Sequence, residues 1–240
     1  MLNNVSVVIL CGGKGSRMGV SSEVTPKPLV HINGKPMLHH ICNNLLTRGF
    51  KEFILATGHL SKKFDEFVSS DNQFIDKDKI IISNAGENAG MLKRIYHGIT
   101  SYKDTILVCY GDTYLDIDFE DLINKHIESK CSATIVTGKI KNPFGIVSLN
   151  SINKTVESFV EKPVYDYYIG CLVLNKKVIL QLNEDLVNQP DGQGIVLLFQ
   201  KLIEESQLHY YSFDGLQVTF NTQDERVKAE NILSTYFTMK

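Results

Sequence analysis

A glycine-rich loop with two basic side chains follows the first apolar run of this chain. The segment 11–18 reads Cys-Gly-Gly-Lys-Gly-Ser-Arg-Met and comes directly after the apolar run 5–10. Glycine lets main-chain N–H groups approach an anion that a side chain would otherwise block. Lys14 and Arg17 add the positive charge that a triphosphate needs as negative charge builds on its leaving group. The loop therefore predicts phosphate binding, with a solvated glycine turn carrying two surface cations as the alternative.

Two widespread phosphate-binding motifs are absent from this loop. The P-loop patterns GxxxxGKS and GxxxxGKT do not occur in the chain. The dinucleotide-binding pattern GxGxxG fails because Met18 stands where the third glycine belongs after Gly13 and Gly15. We therefore expect neither an ordinary P-loop kinase nor a typical NAD enzyme.

Two further side chains have types and positions that suit phosphate chemistry. Lys27 lies between two prolines, which stiffen the chain and so suit a charge that must be held in a fixed place. Asp112 follows the apolar run 105–110, at the strand end where α/β folds bind ligands. A carboxylate beside triphosphate oxygens is a usual ligand of Mg²⁺. From its residue type alone, a role for Asp112 in a turn or as a helix cap is an equal alternative to metal binding.

The order of these segments resembles the N-terminal signature of the sugar-phosphate nucleotidyltransferases. The chain carries GGxGSRM, a short spacer, PKPL and then Asn-Gly-Lys-Pro-Met-Leu at 33–38. The resemblance implies that the glycine loop and Arg17 hold a triphosphate, that Lys27 contacts the phosphates at the reacting centre, and that Asp112 holds the catalytic Mg²⁺. Arg17 and Lys27 are therefore the predicted catalytic residues. The predicted nucleotide-binding residues are Leu10, Gly12, Gly13, Lys14, Gly15, Ser16, Asn84, Gly86 and Gly90.

The same resemblance implies the reaction. A nucleoside triphosphate is joined to a small phosphorylated acceptor, expected to be a sugar 1-phosphate, and pyrophosphate is released. The product is then an NDP-sugar of the kind used for surface-polysaccharide synthesis. Two alternatives remain open: the same chemistry on phosphocholine, a phosphorylated amino acid or a polyol phosphate, and a non-catalytic nucleotide-binding sensor.

The second half of the chain carries a match to the acceptor side of this family. Phe-Gly-Ile-Val at 144–147 and Phe-Val-Glu-Lys-Pro at 159–163 look like the family's paired YGV and EKP elements. Glu161 suits hydrogen bonds from sugar hydroxyls, and Lys162 suits the acceptor phosphate. A charged pair at a strand end is the alternative. The predicted acceptor-binding residues are Gly145, Glu161, Lys162 and Gly170, the last on a strand that resembles the family's sugar-pocket strand.

The second metal ligand departs from the pattern of many relatives. Their C-terminal aspartate aligns with Thr219, two residues before Asn221. Some nucleotidyltransferases of the same broad fold use an asparagine in an Asn-Thr element, so we predict Asn221 as the second Mg²⁺ ligand. Asn221 also suits the start of the last helix, where Thr222 and Glu225 resemble a capping box. Both roles are compatible.

The segment 84–95 replaces the GTAGAL-like segment of thymidylyl and guanylyl enzymes. Its Leu-Lys-Arg-Ile run at 92–95 resembles the glucose-1-phosphate cytidylyltransferases. CTP is therefore the expected triphosphate. GTP, UTP and dTTP stay open, because base choice rests on a few hydrogen bonds that a sequence does not position.

These side chains need a scaffold, and the apolar pattern indicates an α/β fold. Nearly continuous apolar runs at 5–10, 53–57, 80–82 and 105–109 are typical of buried parallel strands, and helical patterns separate them. Gly49 is predicted to end the first helix, and Ser61 and Asp118 to begin later ones. Shorter strands are predicted at 133–139, 145–149, 155–160 and 167–174, and helices near 176–187 and 194–205.

We therefore predict a doubly wound α/β fold with a mostly parallel mixed sheet. The family resemblance implies that this fold is the Rossmann-like, GT-A-like fold of the nucleotidyltransferases. The expected organisation is a single domain over 1–240, with a nucleotide-binding half over about 1–130 and an acceptor-binding half over about 131–240. The loop at 188–194 is the most obvious connection.

The charge balance and the cysteine pattern of the chain exclude some classes of function. With 25 basic and 27 acidic residues and a formal charge of −2, the chain has no general electrostatic footprint for nucleic acid or an anionic membrane. Five cysteines without CxxC spacing, and no signal-like or spanning apolar segment, predict reduced thiols in a cytoplasmic protein. The expected partners are a nucleoside triphosphate and a small phosphorylated acceptor, and a homodimer stays open.

Overall fold

Strands and helices alternate along the first half of the chain, as the apolar runs predict. The computed structural model describes residues 2–15, 24–70 and 77–239. Its strands are β1 (Val5–Leu10), β2 (His31–Ile32), β3 (Lys35–Pro36), β4 (Phe53–Thr57), β5 (Ile80–Asn84), β6 (Thr105–Tyr110), β7 (Thr113–Leu115), β8 (Ala133–Lys141), β9 (Ile146–Asn150), β10 (Thr155–Val160), β11 (Val164–Asn175), β12 (Leu208–Ser212) and β13 (Gln217–Thr219). Its helices are α1 (Met37–Thr47), α2 (Ser61–Ser69), α3 (Met91–His97), α4 (Phe119–Ser129), α5 (Lys176–Leu180), α6 (Glu184–Val187), α7 (Gln193–Glu204) and α8 (Gln223–Met239).

Seven of the strands form one mixed sheet in the order β12-β8-β11-β6-β1-β4-β5. Strands β5, β4, β1 and β6 are mutually parallel, and β12 is parallel to β8. Strand β11 runs antiparallel to both β6 and β8. The sheet is therefore mixed and mostly parallel, and helices pack on both of its faces. This architecture confirms the doubly wound α/β fold that the sequence predicts.

The direction of winding reverses at β1, and this reversal opens a crevice. Strands β4 and β5 lie on one side of β1 and β6 lies on the other. Connections that leave the sheet in opposite directions create a ligand-binding crevice outside the carboxyl ends of the strands. Gly12 follows β1 there, and Asp112 follows β6.

Strand β1 is buried on both faces, which fixes the start of the glycine loop. Val7 and Ile9 belong to the core that packs against α1, α2, α4 and α8. Val8 belongs to the second core, against α3, α5 and α7. All three side chains have no solvent exposure. A strand held between two close-packed cores has little freedom to shift, so the segments after it leave from a fixed position.

Two of the later strands, β8 and β11, are longer than the sequence predicts because they pair with each other beyond the main sheet. Strands β8 and β11 continue as an antiparallel ladder as far as Lys141 opposite Val164. Strands β9 and β10 form a separate antiparallel hairpin between them, and its side chains are almost all exposed.

Two of the predicted helix ends have the local capping residue that the sequence indicates. The Asp118 carboxylate accepts hydrogen bonds from the N–H groups of Glu120 and Asp121, which confirms its predicted cap. Gly49 has φ 103° directly after α1, as predicted for a left-handed residue at a helix end.

Two predictions about helix boundaries are wrong. Ser61 is inside α2, its Oγ lies 3.0 Å from Thr57 Oγ1, and left-handed Leu60 (φ 52°) precedes the helix instead. The stretch 176–187 is two helices rather than one. The side chain of Asn183 accepts a hydrogen bond from Leu186 N, and this new cap starts α6.

A buried histidine network gives the fold a dependence on pH. The His126 ring is 2% exposed, with Nδ1 2.9 Å from Thr134 Oγ1 and Nε2 3.1 Å from Asn175 Oδ1. Burial is the main cause that lowers the pKa of His126, and nearby His209 lowers it further. The neutral ring is therefore the form that the folded chain accommodates.

We expect the free energy of unfolding to fall as pH is lowered through the unfolded-state histidine pKa of about 6.5, because the unfolded chain then takes up a proton that the folded chain resists. Thermal unfolding between about pH 7.5 and 5 measures this dependence. The variant His126→Gln should reduce this slope, whereas His31→Gln, at an exposed position on β2, should not. An equal slope in wild type and His126→Gln would contradict the assignment.

Candidate active site

A cavity of about 410 Å³ opens at the carboxyl ends of β1 and β6. It lies where the reversal of winding predicts a ligand. The lining residues are Leu10, Cys11, Gly12, Gly13, Gly15, Lys27, Pro28, Met91, Arg94, Tyr110, Asp112, Thr113, Tyr168, Ile169, Gly170, Gln217, Thr219 and Asn221. The cavity therefore joins the glycine loop, the lysine between two prolines, the strand-end aspartate and the C-terminal asparagine.

Three polar side chains from distant parts of the chain meet in this cavity. Lys27 Nζ donates to Asp112 Oδ2 at 2.5 Å and to Asn221 Oδ1 at 3.1 Å. The partners are 85 and 194 residues away along the chain. The Lys27 side chain is 9% exposed and that of Asp112 is 26% exposed. The ammonium group therefore lies between two oxygen atoms in a place largely shielded from water.

The fold holds Lys27 in place from several directions. Residues Lys27–Leu29 form a single 3-10 turn, in which Leu29 N donates to Pro26 O at 2.8 Å. The Lys27 Nζ atom also lies 5.4 Å from the centre of the Phe220 ring, a favourable distance for a cation over an aromatic face. The proline-flanked lysine is thus positioned as its sequence setting predicts.

Gly111 lets the end of β6 lie close against the end of β1. Its N–H donates to Leu10 O at 3.0 Å. A Cβ atom there would lie 2.9 Å from Leu10 O and 3.0 Å from Pro28 Cγ, so a larger residue would push the two segments apart. The Asp112 carboxylate also accepts a hydrogen bond from Thr113 Oγ1 at 3.1 Å. Together these contacts aim Asp112 into the cavity.

The short strand pair β7 and β13 brings the C-terminal segment to Asp112. Thr219 pairs with Thr113, and Thr219 Oγ1 donates to the Asp112 main-chain oxygen at 3.1 Å. Asn221 follows at the edge of the cavity. Its N–H donates to Glu225 Oε2 at 2.6 Å, and Glu225 N donates to Thr222 Oγ1 at 3.2 Å. Asn221 therefore serves the start of α8 with its backbone while its side chain reaches Lys27.

The glycine loop lines the crevice side of the cavity. Gly12 O accepts a hydrogen bond from His59 N at 3.2 Å, and a Cβ atom on Gly12 would collide with Arg94 Nε. Nothing lies within 4 Å of a Cβ atom on Gly13, and Gly15 has φ 62°. Lys14 Nζ lies outside the lining and donates to Asn88 Oδ1 at 3.3 Å. The predicted residues Ser16 and Arg17 lie outside the described residues.

Three predicted nucleotide-binding residues of the segment 84–95, Asn84, Gly86 and Gly90, are not on the cavity lining, whereas Met91 and Arg94 of the same segment are. Asn84 Oδ1 accepts a hydrogen bond from Gly86 N at 3.0 Å, which shapes a turn with Gly86 at φ 97°. Gly90 is at the start of α3, against the main-chain oxygens of Gln189 and Asp191. Their roles toward a nucleotide stay predictions.

The structure separates the predicted acceptor residues into two places. Gly170 lines the cavity, with φ 80° and its backbone against the Tyr110 ring. Glu161 and Lys162 form an exposed ion pair of 3.5 Å at the end of the β9–β10 hairpin. Gly145 is beside them, where a Cβ atom would lie 3.2 Å from Glu161 Oε2. These three residues do not line the cavity, and their acceptor role stays a prediction.

Sequence reasoning missed several side chains that the structure places on the cavity lining, among them Arg94, Tyr110 and Tyr168. Arg94 is 6% exposed, and burial lowers the pKa of its guanidinium. The Tyr110 and Tyr168 rings meet edge to face at 5.9 Å, and burial raises the pKa of both phenols. A tyrosine at the end of an apolar strand gives no signal by itself. Arg94 did stand in the Leu-Lys-Arg-Ile run, but its inward direction depends on packing against Gly12.

The lining offers electrostatics rather than proton transfer. Among the described residues, no histidine lines the cavity. Within the same described ranges, no group of three or more His, Cys, Asp or Glu side chains is arranged to hold a metal ion. The cavity instead combines one lysine and one arginine with one carboxylate, the amide side chains of Gln217 and Asn221, and glycine backbone. Such a set binds and orients an anion with an attached cation.

No helix in the described parts of the chain is long and apolar enough to cross a membrane. All five cysteines are free thiols, and four of them are buried.

Comparison with known protein families gives a match over most of the chain. The family model for nucleotidyl transferases matches residues 6–217. A probable glucose-1-phosphate cytidylyltransferase from Bacillus subtilis is 32% identical over 241 residues, which cover 91% of this chain and 92% of the relative. A UTP–glucose-1-phosphate uridylyltransferase from Synechocystis is 26% identical over 227 residues, and these cover 87% of this chain. They span only 57% of the Synechocystis protein.

A comparison with solved structures supports the fold. The crystal structure of HddC from Yersinia pseudotuberculosis complexed with GMP-PN superposes with a TM-score of 0.72. The superposition covers 95% of this chain and 99% of that chain, at 22% sequence identity. At this identity the likeness concerns the arrangement of strands and helices.

Proposed function

The chain belongs to the nucleotidyl transferase family, and on this premise we propose that it joins CTP to a sugar 1-phosphate with Mg²⁺, releasing pyrophosphate. The observation that carries the proposal is the meeting of Lys27, Asp112 and Asn221 across one cavity from the glycine loop. A cation-binding oxygen pair, a buried ammonium group and open backbone N–H groups are what a triphosphate and its metal ion require.

The proposed reaction is an in-line displacement at the α-phosphorus of the triphosphate. An oxygen of the acceptor phosphate forms the new P–O bond, and the bond from the α-phosphorus to the bridging oxygen of pyrophosphate breaks. The acceptor phosphate is already ionised at neutral pH, so no general base is required. Catalysis then comes from positioning and from charge stabilisation. This agrees with a cavity lining that has no histidine among the described residues.

Each side chain has a role in that displacement. The glycine backbone of Gly12 and Gly13 supports the phosphates, and Lys27 stabilises the charge that passes to pyrophosphate. We propose the same electrostatic role for Arg17, as the family resemblance implies. Gly170 keeps its backbone against the Tyr110 ring on the cavity lining, and the acceptor role that the family resemblance implies for it is part of this proposal.

The residues present fit a divalent cation. Asp112 Oδ2 and Asn221 Oδ1 already share one positive charge, the Lys27 ammonium, which stands in for a cation between two oxygen ligands. Carboxylate and amide oxygens are the hard ligands that Mg²⁺ takes. When bound, Mg²⁺ would neutralise phosphate charge and polarise the α-phosphoryl group.

CTP is the proposed triphosphate because of the Leu92–Ile95 run and the name of the Bacillus subtilis relative. The Synechocystis relative is named for UTP, so relatives of similar sequence differ in base. The proposed acceptor class rests on the same two names, both of which contain glucose 1-phosphate, while other relatives are named for mannose 1-phosphate.

The decisive experiment measures pyrophosphate release with every pairing of CTP, GTP, UTP and dTTP with glucose 1-phosphate, mannose 1-phosphate and phosphocholine. We expect the highest kcat/KM for CTP with a sugar 1-phosphate. Preference for phosphocholine would assign the chain to a non-sugar acceptor. Triphosphate binding without release under any pairing would instead identify a nucleotide sensor, the alternative that Thr219 in place of an aspartate favours.

The proposed second ligand, Asn221, predicts a moderate change in the Mg²⁺ requirement rather than a loss of activity. Asn221→Ala should raise the Mg²⁺ concentration needed for half-maximal rate severalfold. The effect is moderate because an amide oxygen is a neutral ligand, and Mg²⁺, which usually keeps several bound waters, can take another water in its place. Thr219→Asp should lower that requirement, since Thr219 lines the cavity beside Asp112. Magnesium titrations of initial rate measure both changes. An unchanged requirement in Asn221→Ala would limit this residue to the start of α8.

A further inference from the structure

The β9–β10 hairpin and the strands that flank it expose a large share of the apolar side chains of the molecule. Half of the large apolar side chains that the described residues expose belong to the stretch 140–167. The hairpin pairs only with itself, outside the seven-stranded sheet. A two-stranded hairpin is marginally stable unless its apolar face is covered, and contiguous apolar surface marks an interaction site. The hairpin is therefore a candidate contact for a partner.

Four apolar side chains share one face of the hairpin. Val147 lies opposite Phe159, and Leu149 lies opposite Val156. Directly opposite residues of an antiparallel pair project from the same face, and Val147 and Leu149 share a face because they are two residues apart. The four side chains are between 46% and 64% exposed. We call this surface the apolar hairpin face, and none of its four members carries a charge.

A β-bulge keeps these side chains together. The register shifts directly after Val156, so that Glu157 is an extra residue on β10. In a regular strand Val156 and Phe159 would project from opposite faces because they are three residues apart, and the extra residue corrects this. On the other face Asn150 Nδ2 donates to Glu157 Oε1 at 2.9 Å. The hairpin thus separates an apolar face from one that carries hydrogen-bonded polar side chains.

We propose that two copies of the chain pair through the apolar hairpin face about a twofold axis. In such an isologous contact each face meets the same face of its partner. Because the face carries no charge, this pairing brings no like charges together at its centre. The stretch 139–166 holds four lysines and three acidic residues. This balance does not favour an anionic membrane as the occupant, since membrane attraction needs a cluster of basic residues.

The size and chemistry of the face favour a second copy over a different protein. Four side chains of this size and exposure present about 400 Å² of apolar surface, comparable with the largest patch on a typical monomer. Phe144, just before the hairpin, and Ile152, at its tip, are 73% and 95% exposed. With these two, a pair of copies would bury about 1,200 Å² in total, the lower limit for a specific stable interface. Homodimer interfaces are also more apolar than other interfaces, whereas charged and polar groups select a different partner.

Sedimentation velocity of the wild-type chain over a wide range of concentration tests the pairing. We expect a species of twice the chain mass of 27.0 kDa. Leu149→Asp should sediment with half the mass of the wild-type species. A twofold contact contains this substitution twice, and burying two unpaired carboxylates in an apolar contact should weaken the association about a hundredfold or more.

A matched control is Ile203→Asp on α7. Ile203 is 62% exposed and Leu149 is 64% exposed, so both variants place an acid at a similarly exposed apolar position. Ile203→Asp should keep the wild-type mass. Thermal unfolding verifies that each variant is folded, and Val156→Asp tests the same face if Leu149→Asp is not.

Two results would overturn the proposal. One is a monomeric wild-type chain at every concentration, which would leave the face uncovered or reserved for another protein. The other is an unchanged mass in folded Leu149→Asp, which would place the contact between copies elsewhere on the molecule. Because sedimentation requires neither triphosphate nor acceptor, both results are independent of the proposed function.

Discussion

Replacing Asp112 with asparagine is expected to lower kcat/KM by about 10²- to 10³-fold, the typical cost of losing one preorganised electrostatic group at the reacting centre. The substitution keeps the shape of the side chain but removes the negative charge that attracts a hard cation. Asp112 is the one carboxylate among the described residues that line the cavity. Pyrophosphate release at saturating and limiting Mg²⁺ measures the loss.

The structure predicts that this variant stays folded. Asparagine still offers an oxygen to Lys27 Nζ and to Thr113 Oγ1, which are the present partners of the carboxylate. Asp185→Asn, at an exposed position on α6, is the matched control and should keep full activity. Wild-type turnover in Asp112→Asn, with an unchanged Mg²⁺ requirement, would remove Asp112 from the metal site and with it the proposed mechanism.

Features that depend on neighbouring residues could be predicted from the sequence. The buried strand β1 matches its apolar run at 5–10, and the cap at Asp118 depends on N–H groups two and three residues ahead. Gly49 at φ 103° is likewise a local requirement of a helix end. The doubly wound sheet follows from the alternation of such segments, because parallel strands need crossover helices.

Features that depend on distant contacts could not be predicted in detail. The sequence indicates Lys27, Asp112 and Asn221 separately, but only the pairing of β7 with β13 shows that they touch. In the sequence, Arg94 has no feature that distinguishes it from an exposed charged residue on a short helix. Only the structure shows that Gly12 and Gly58 pack against its side chain. The residues next to the exposed β9–β10 hairpin show the opposite relation. Gly145, Glu161 and Lys162 match the family's motifs in the sequence, but they do not line the described cavity.

Lys27→Met is expected to lower kcat by about 10²-fold, the usual cost of removing one electrostatic stabiliser of a transition state. The variant should also change metal binding in the opposite direction. In the wild-type chain the Lys27 ammonium already occupies the space between Asp112 Oδ2 and Asn221 Oδ1. A divalent cation that enters this pair must displace it, and triphosphate oxygens then give the ammonium group a new partner.

In the absence of triphosphate, Lys27→Met should therefore bind Mn²⁺ more tightly than the wild type, while its turnover is lower. Mn²⁺ is the probe because its electron paramagnetic resonance signal reports the free ion directly. Lys62→Met, at an exposed position on α2, controls for a general change in net charge and should leave both quantities unaltered. A merely structural lysine would weaken metal binding when removed, because Asp112 and Asn221 would lose the contact that orders them. Tighter Mn²⁺ binding together with slower turnover is the result expected when the ammonium group and the metal ion compete for the same two oxygens, and unchanged or weaker binding would contradict that competition.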